Sequence, residues 1–205
     1  MTDRINIVQK VGITLVVSGP SGVGKNSVIN ALRERYNDIR HSVSVTTRPP
    51  REAEIDGVHY YFRTKAEFEA MIAEGEILEY DIYCGEYYGT PRSPLERMRR
   101  EGINVLLDLT VKGALSLKES YPNAVLLFLI PPSETALRER LLNRATESQE
   151  IIQTRLSESW EEMNSACEFD YLVVNDDLLQ AVQDIEAIYW AEKHRTSRLF
   201  IDGMQ

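Results

Sequence analysis

Short β-branched runs alternate with amphipathic stretches along most of the chain. The run "ITLVVS" (Ile13 to Ser18) precedes a glycine-rich loop. After that loop, "KNSVINALRERY" places Val28, Ile29, Leu32 and Tyr36 at helical spacing. Similar apolar runs recur at "INVLLDL" (Ile103 to Leu109), "AVLLFLI" (Ala124 to Ile130) and "YLVV" (Tyr171 to Val174), each followed by a helical pattern. Strands apolar throughout, with helices between them, predict βα units and a mostly parallel sheet covered on both faces. The expected fold class is α/β.

Residues 47 to 90 break this rhythm. "TTRPPREAEIDG" is rich in turn residues, "VHYYF" reads as a strand, "KAEFEAMIAEGE" as a helix, and "YDIYCGEYYG" is aromatic with two glycines. An inserted subdomain is expected here. A second excursion, Arg138 to Arg155, is a helical stretch dense in Arg and Glu between two sheet strands. The apolar tail "RLFI" is expected to dock on its own domain.

Composition narrows the classes further. The 205 residues suit one core with excursions, and no apolar run approaches the ~18 residues of a membrane helix. The N-terminus has neither signal-peptide nor transit-peptide character, so a cytoplasmic protein without membrane attachment is expected. A net charge of −9 argues against nucleic-acid binding. Cys84 and Cys167 form no C-x-x-C pair and are expected to be buried, reduced thiols, and His41, His59 and His194 show no metal-ligand spacing.

The chemistry begins at "GPSGVGKNSV". Gly19, Pro20, Ser21, Gly22, Val23, Gly24 and Lys25 spell G-x-x-x-x-G-K between a strand and a helix. That context aims backbone N–H groups and the positive helix end at an anion, with Lys25 neutralising the β- and γ-phosphates of a nucleotide. Such loops usually continue with Ser or Thr as a Mg2+ ligand, whereas this chain has Asn26 followed by Ser27. An amide oxygen can ligate Mg2+ but is differently placed from a hydroxyl, and water and nucleotide phosphates complete the coordination. Ser27 is better placed for a phosphate oxygen.

Five segments in order carry a wider resemblance: "SGPSGVGKNSV", "SVSVTTRPPREAEIDGVHYYF", "GEILEYDIYCGEYYGT", "IPPSETALRERLLNRATESQEIIQTRL" and "FDYLVVNDDL". Together they resemble guanylate kinase, a nucleoside monophosphate kinase family of the P-loop NTPase fold, over about Ile13 to Ala191. The resemblance implies transfer of a phosphoryl group from ATP, with Mg2+, to GMP and also dGMP. It divides a single domain, 1–205, into a core (11–46, 91–137 and 156–197), a GMP-binding subdomain (47–90) and a lid (138–155). ATP and GMP are the expected partners, and an oligomer is compatible with the sequence.

Arg48 and Arg51, with the phenols of Tyr60 and Tyr88, form a plausible clamp for a dianionic acceptor phosphate, as the matching family positions do. Glu79 matches the position that contacts guanine, where a carboxylate accepts from N1–H and the 2-amino group together. The resemblance also implies that Ser44 and Thr90 bond the base or phosphate. It assigns Arg140, Arg144 and Arg155 to closure over the transferred phosphoryl group, and Asn175 and Asp176 to the adenine side. Asp108 is implied near the metal, with Asn26. No general base is needed, because the attacking phosphate oxygen is already anionic.

Four departures from the family pattern stand out. Besides Asn26, the family's D-x-D-x-Q-G is "DLTVKG", with Thr110 and Lys112 in place of Asp and Gln. Exchanging a charge-assisted bond for a neutral one predicts GMP binding weaker by about 1 kcal/mol. The usual G-R-G-T is "NRAT" (Asn143 to Thr146), which restricts the backbone of the lid, and Ala53 stands where Gly is usual. Two other readings remain open on these residues: a guanylate-kinase-like binding module without turnover, and a related kinase with another phosphorylated acceptor.

Overall fold

The computed structural model describes residues 7–9, 11–83, 85–143 and 149–201. In chain order the elements are β1 (Ile7–Gln9), β2 (Thr14–Ser18), α1 (Lys25–Arg35), β3 (Ile39–His41), β4 (Val45–Thr46) and β5 (Tyr61–Phe62). There follow α2 (Lys65–Ala73), β6 (Ile77–Tyr83), β7 (Glu86–Pro91), α3 (Arg92–Arg100), β8 (Asn104–Asp108), α4 (Val111–Ser120) and β9 (Val125–Ile130). The chain closes with α5 (Glu134–Asn143), α6 (Gln149–Asn164), β10 (Tyr171–Val174), α7 (Leu178–Lys193) and β11 (Leu199–Ile201).

Five strands form one parallel sheet in the order β10-β9-β2-β8-β3. Alternate side chains point to opposite faces, so Leu15, Val17, Leu106, Leu127 and Leu129 enter one buried cluster with Val28 and Leu32 of α1 and Ile185 of α7. Val16, Val105, Leu107 and Leu126 enter the other, under Leu95 of α3 and Leu117 of α4. Because the strands are parallel, their carboxyl ends share one edge. The loop after β2, Asp108 at the end of β8, and Asn175 after β10 therefore converge there.

A second sheet, in the order β5-β4-β7-β6, has its own small core of Val45, Phe68 and Ile77. Its helix α2 opens with a capping box in which the Thr64 hydroxyl accepts from the Glu67 N–H and the Glu67 side chain accepts from the Thr64 N–H. The strand expected at "VHYYF" is confined to Tyr61–Phe62. The N–H groups of Val58 and His59 donate instead to the Ile55 carbonyl, closing a tight turn.

The tail pairs with the start of the chain, β11 lying antiparallel to β1. Just before it, Arg198 is buried and donates to Glu192 at 2.7 Å and to the Asn123 carbonyl at 2.9 Å. Cys167 corrects the expectation of buried thiols: it lies exposed in a short 3-10 turn, Ser165–Glu168. Cys84 lies outside the described residues. Among those residues, no helix is long and apolar enough to cross a membrane.

Candidate active site

The phosphate loop leaves β2 and enters α1 through Gly24, whose φ is +101° and whose missing side chain matters twice. A left-handed backbone favours glycine, and a Cβ here would stand 2.6 Å from Asn175 Nδ2. The loop is held from several sides. Asn175 Nδ2 donates to the Val23 carbonyl at 2.7 Å, Arg140 Nη1 donates to the same oxygen at 3.1 Å, and Lys25 Nζ donates to the Gly19 carbonyl at 2.6 Å. The Ser21 N–H donates to the Glu162 carboxylate at 3.3 Å. The Asn26 side chain is exposed and has no hydrogen-bond partner among the described residues; the Pro20 carbonyl accepts from the Val23 N–H at 3.2 Å, and the exposed Ser27 lies in the first turn of α1, its N–H donating to the Gly24 carbonyl at 3.1 Å.

Asp108 faces this loop. Burial raises its pKa, and the nearby Lys25 ammonium opposes that rise. Among the described residues, no group of three or more His, Cys, Asp or Glu side chains could hold a metal ion.

The second constellation lies in the smaller sheet and its loops. Arg48 Nη2 donates to Glu54 Oε1 at 2.8 Å and Arg48 Nη1 to the Pro49 carbonyl at 2.8 Å, while its guanidinium sits 5.5 Å from the centre of the Tyr60 ring. Tyr60 and Tyr88 meet edge to face at 6.0 Å. Arg51 joins through its backbone, whose N–H donates to Glu54 Oε2 at 2.8 Å. The Ser44 carbonyl accepts from the Tyr61 N–H at 2.8 Å, which anchors the start of this region.

Glu79 is only 5% exposed and accepts a 2.6 Å hydrogen bond from the Thr90 hydroxyl. Burial, the largest cause, pushes its carboxyl up to about 7, with the Asp81 charge adding to the rise. The other oxygen approaches Gly113 so closely that a Cβ there would lie 2.5 Å from Glu79 Oε2. Thr110 caps α4, its hydroxyl accepting from the Gly113 N–H at 3.1 Å. That use leaves the hydroxyl hydrogen free to donate and one lone pair free to accept. Lys112, exposed, lies 3.8 Å from Asp81.

A cavity of about 520 Å3 opens beside these groups, lined by Asp81, Thr110, Lys112, Glu161 and Glu162 among others. The structure brings together Lys25, Asp108, Arg140 and Asn175 around one loop, and Arg48, Tyr60 and Tyr88 around another. Arg144 and the side chain of Arg155 lie outside the described residues. Glu54, Gly113 and Glu162 were not singled out by sequence reasoning. Glu54 was within reach as a carboxylate three residues after Arg51, whereas the other two depend on long-range packing.

A parallel sheet with a G-x-x-x-x-G-K loop at its carboxyl edge, and a second sheet carrying the Arg48, Tyr60 and Tyr88 cluster, define an α/β P-loop phosphotransferase. The comparisons narrow that class. The family model "Guanylate kinase" matches residues 12–192. The chain is 46% identical to a guanylate kinase of Clostridium perfringens over 92% of this chain and 87% of the relative. It is 49% identical to one of Symbiobacterium thermophilum over 91% and 89%. The crystal structure of guanylate kinase from Anaplasma phagocytophilum superposes with a TM-score of 0.78 at 34% identity, covering 96% of this chain and 93% of that one. The chain belongs to the guanylate kinase family.

Proposed function

We infer that the chain transfers the γ-phosphoryl group of ATP to GMP, giving ADP and GDP. Family membership over residues 12–192 carries this conclusion. The described side chains support a division of labour within it. The phosphate loop and Lys25 would hold the ATP phosphates, and Asn175 would keep that loop in shape from the adenine side. Arg48, Arg51, Tyr60 and Tyr88 would bind the phosphate of GMP. Ser44 would support that region, and Glu79, Thr90 and Thr110 would read guanine. A carboxylate that accepts from both N1–H and the 2-amino group disfavours adenine, which lacks that amino group.

Phosphoryl transfer asks the protein for alignment and charge stabilisation more than for proton transfer. Arg140, set against the Val23 carbonyl, is near enough to the loop to serve the transferred group, and Arg144 and Arg155 are proposed for the same task. The donors Asn26 and Asp108 fit Mg2+ as one neutral and one anionic oxygen ligand, the rest coming from water and phosphates. The ion would neutralise charge on the β- and γ-phosphates. We assign residues 47–90 to GMP binding and 138–155 to the lid, with the remainder of 11–197 as core. The compartment proposed is the cytoplasm, where both nucleotides are found.

ADP release from Mg-ATP, compared across GMP, dGMP, AMP, UMP, CMP and no acceptor, tests this reading. GMP-dependent release, with dGMP second, is expected. Turnover with another acceptor alone, or GMP binding without turnover, overturns it.

A further inference from the structure

Two side chains of helix α6 reach one residue of the phosphate loop. The Ser21 N–H donates to Glu162 Oε2 at 3.3 Å, and the Ser159 hydroxyl, one turn earlier on the same helix face, lies 3.5 Å from the Ser21 carbonyl. Residues three apart on α6 thus hold both polar groups of one loop residue. Backbone N–H groups of such a loop are the donors that receive nucleotide phosphate. A backbone N–H has one hydrogen to give, so a carboxylate and a phosphate oxygen cannot both take it at full strength, and the two anions repel each other.

The charges agree with that competition. Glu162 is half-buried, and its pKa is raised chiefly by desolvation, with Glu158 and Asp81 adding to the rise and the Lys25 ammonium and the Ser21 N–H opposing it. Glu161 from α6 and Lys112 and Glu119 from α4 line the same cavity. A phosphate arriving at Ser21 therefore meets a carboxylate that already takes its N–H and is stabilised by the field of the Lys25 ammonium.

Resting on the guanylate kinase reading, we propose that Glu162 is an internal competitor for the phosphate site: its carboxylate holds the Ser21 N–H, and the triphosphate of ATP must displace it to bind. The competition sets ATP affinity low enough for ADP to leave. It also makes α6, which follows the proposed lid, respond to nucleotide.

The test is calorimetric titration of Mg-ATP, without GMP, into the wild-type protein, Glu162→Gln and Ser159→Ala. Glu162→Gln keeps the side-chain size and an oxygen for Ser21 but removes the charge. ATP is expected to bind it about three- to tenfold more tightly, the scale of one like charge removed from a partly buried anion site. Wild-type affinity should also rise as pH falls and Glu162 takes up a proton, and Glu162→Gln should lose that part of the profile. Ser159→Ala should leave the pH profile in place. Weaker ATP binding by Glu162→Gln, or a pH profile unchanged from wild type, overturns the proposal. GMP-dependent ADP release by the wild-type protein, run in parallel, tests the family reading separately.

Discussion

Arg48 and Glu54 form an ion pair at 2.8 Å, and the other oxygen of the same carboxylate accepts from the Arg51 N–H at 2.8 Å. One side chain thereby fixes both the guanidinium and the turn that carries the second arginine. The Arg48 hydrogen bond, first among the causes, holds the Glu54 carboxyl down at about 2. A guanidinium has five N–H donors, so Glu54 orients Arg48 without exhausting it. This is the reverse of the single N–H that Ser21 offers to Glu162.

Glu54→Ala should therefore raise the KM for GMP about three- to tenfold, the loss of one or two oriented hydrogen bonds, while the KM for ATP stays constant. Steady-state kinetics with each substrate varied in turn decides it. A fall in GMP KM would mean that Glu54 blocks the arginine. Since the folded-state pKa of Glu54 is depressed, its contribution is fully present above about 4.5 and is lost only as pH falls towards about 2. KM for GMP should show no Glu54 titration above pH 5.

Glu79 behaves oppositely because it is buried and, among the described residues, no cation pairs with it. With its carboxyl at about 7 against an ordinary 4.5, the folded protein keeps a proton between those values that the unfolded chain has released. Stability attributable to this group falls as pH rises through that window and is level above it. GMP binding should run the other way, since only the ionised group accepts two hydrogen bonds. GMP affinity should rise as pH increases through about 7. In Glu79→Gln that dependence should vanish, GMP KM should rise about tenfold or more, and the melting temperature at pH 8 should increase. The titration of the GMP phosphate is common to both proteins, so their difference isolates Glu79.

The same buried carboxyl predicts the behaviour of Gly113. Alanine is the better helix former by about 1 kcal/mol. Yet its Cβ would lie 2.5 Å from Glu79 Oε2 and 3.3 Å from both Glu79 Cδ and Thr110 Oγ1. The carboxyl must move, and its bond to Thr90 moves with it. Gly113→Ala should raise GMP KM by about tenfold with little change in melting temperature, helix propensity offsetting the crowding. An unchanged GMP KM would show that Glu79 can shift without losing guanine.

How much of this was legible follows from the range of each interaction. "YLVV" is a strand over Tyr171–Val174 because a short apolar run rich in β-branched residues declares itself locally, even at the edge of a sheet. "KAEFEAMIAEGE" declares a helix, but its end at Ala73 is set by Gly75, whose φ is +72°. Arg48 and Glu54 meet within one turn, so their partnership is present in the local sequence. Glu162 reaches Ser21 from 141 positions away, and Gly113 meets Glu79 only because α4 packs on β6. Pattern gives faces and spacing. It does not give which residue of one element lies against which residue of another.

Asn175 illustrates a residue whose loss is cushioned. It is 5% exposed and donates to the Val23 carbonyl at 2.7 Å, but Arg140 donates to the same oxygen. Asn175→Ala therefore leaves no orphaned acceptor, and its cost should fall near about 1 kcal/mol rather than the full penalty of an unsatisfied buried group. Loosening of the loop should still raise ATP KM several-fold and leave GMP KM unchanged. The double variant with Arg140→Ala should lose more stability than the sum of the two, because only then is the Val23 carbonyl unpaired.

Asn26 is the sharpest departure from the usual phosphate loop, and its position makes it testable without disturbing the fold. It is the second residue of α1, exposed, with no partner among the described residues. Ser and Asn have similar helix propensities, so Asn26→Ser should change stability by no more than about 0.5 kcal/mol, leaving the melting temperature nearly unchanged. What should change is metal use. A hydroxyl sits closer to the backbone than an amide oxygen and matches the usual ligand at this position. The Mg2+ concentration giving half-maximal rate should therefore fall several-fold at fixed ATP and GMP, with maximal rate little altered. Identical Mg2+ dependence in the two proteins would place Asn26 away from the ion and leave Asp108 as the single proposed protein ligand.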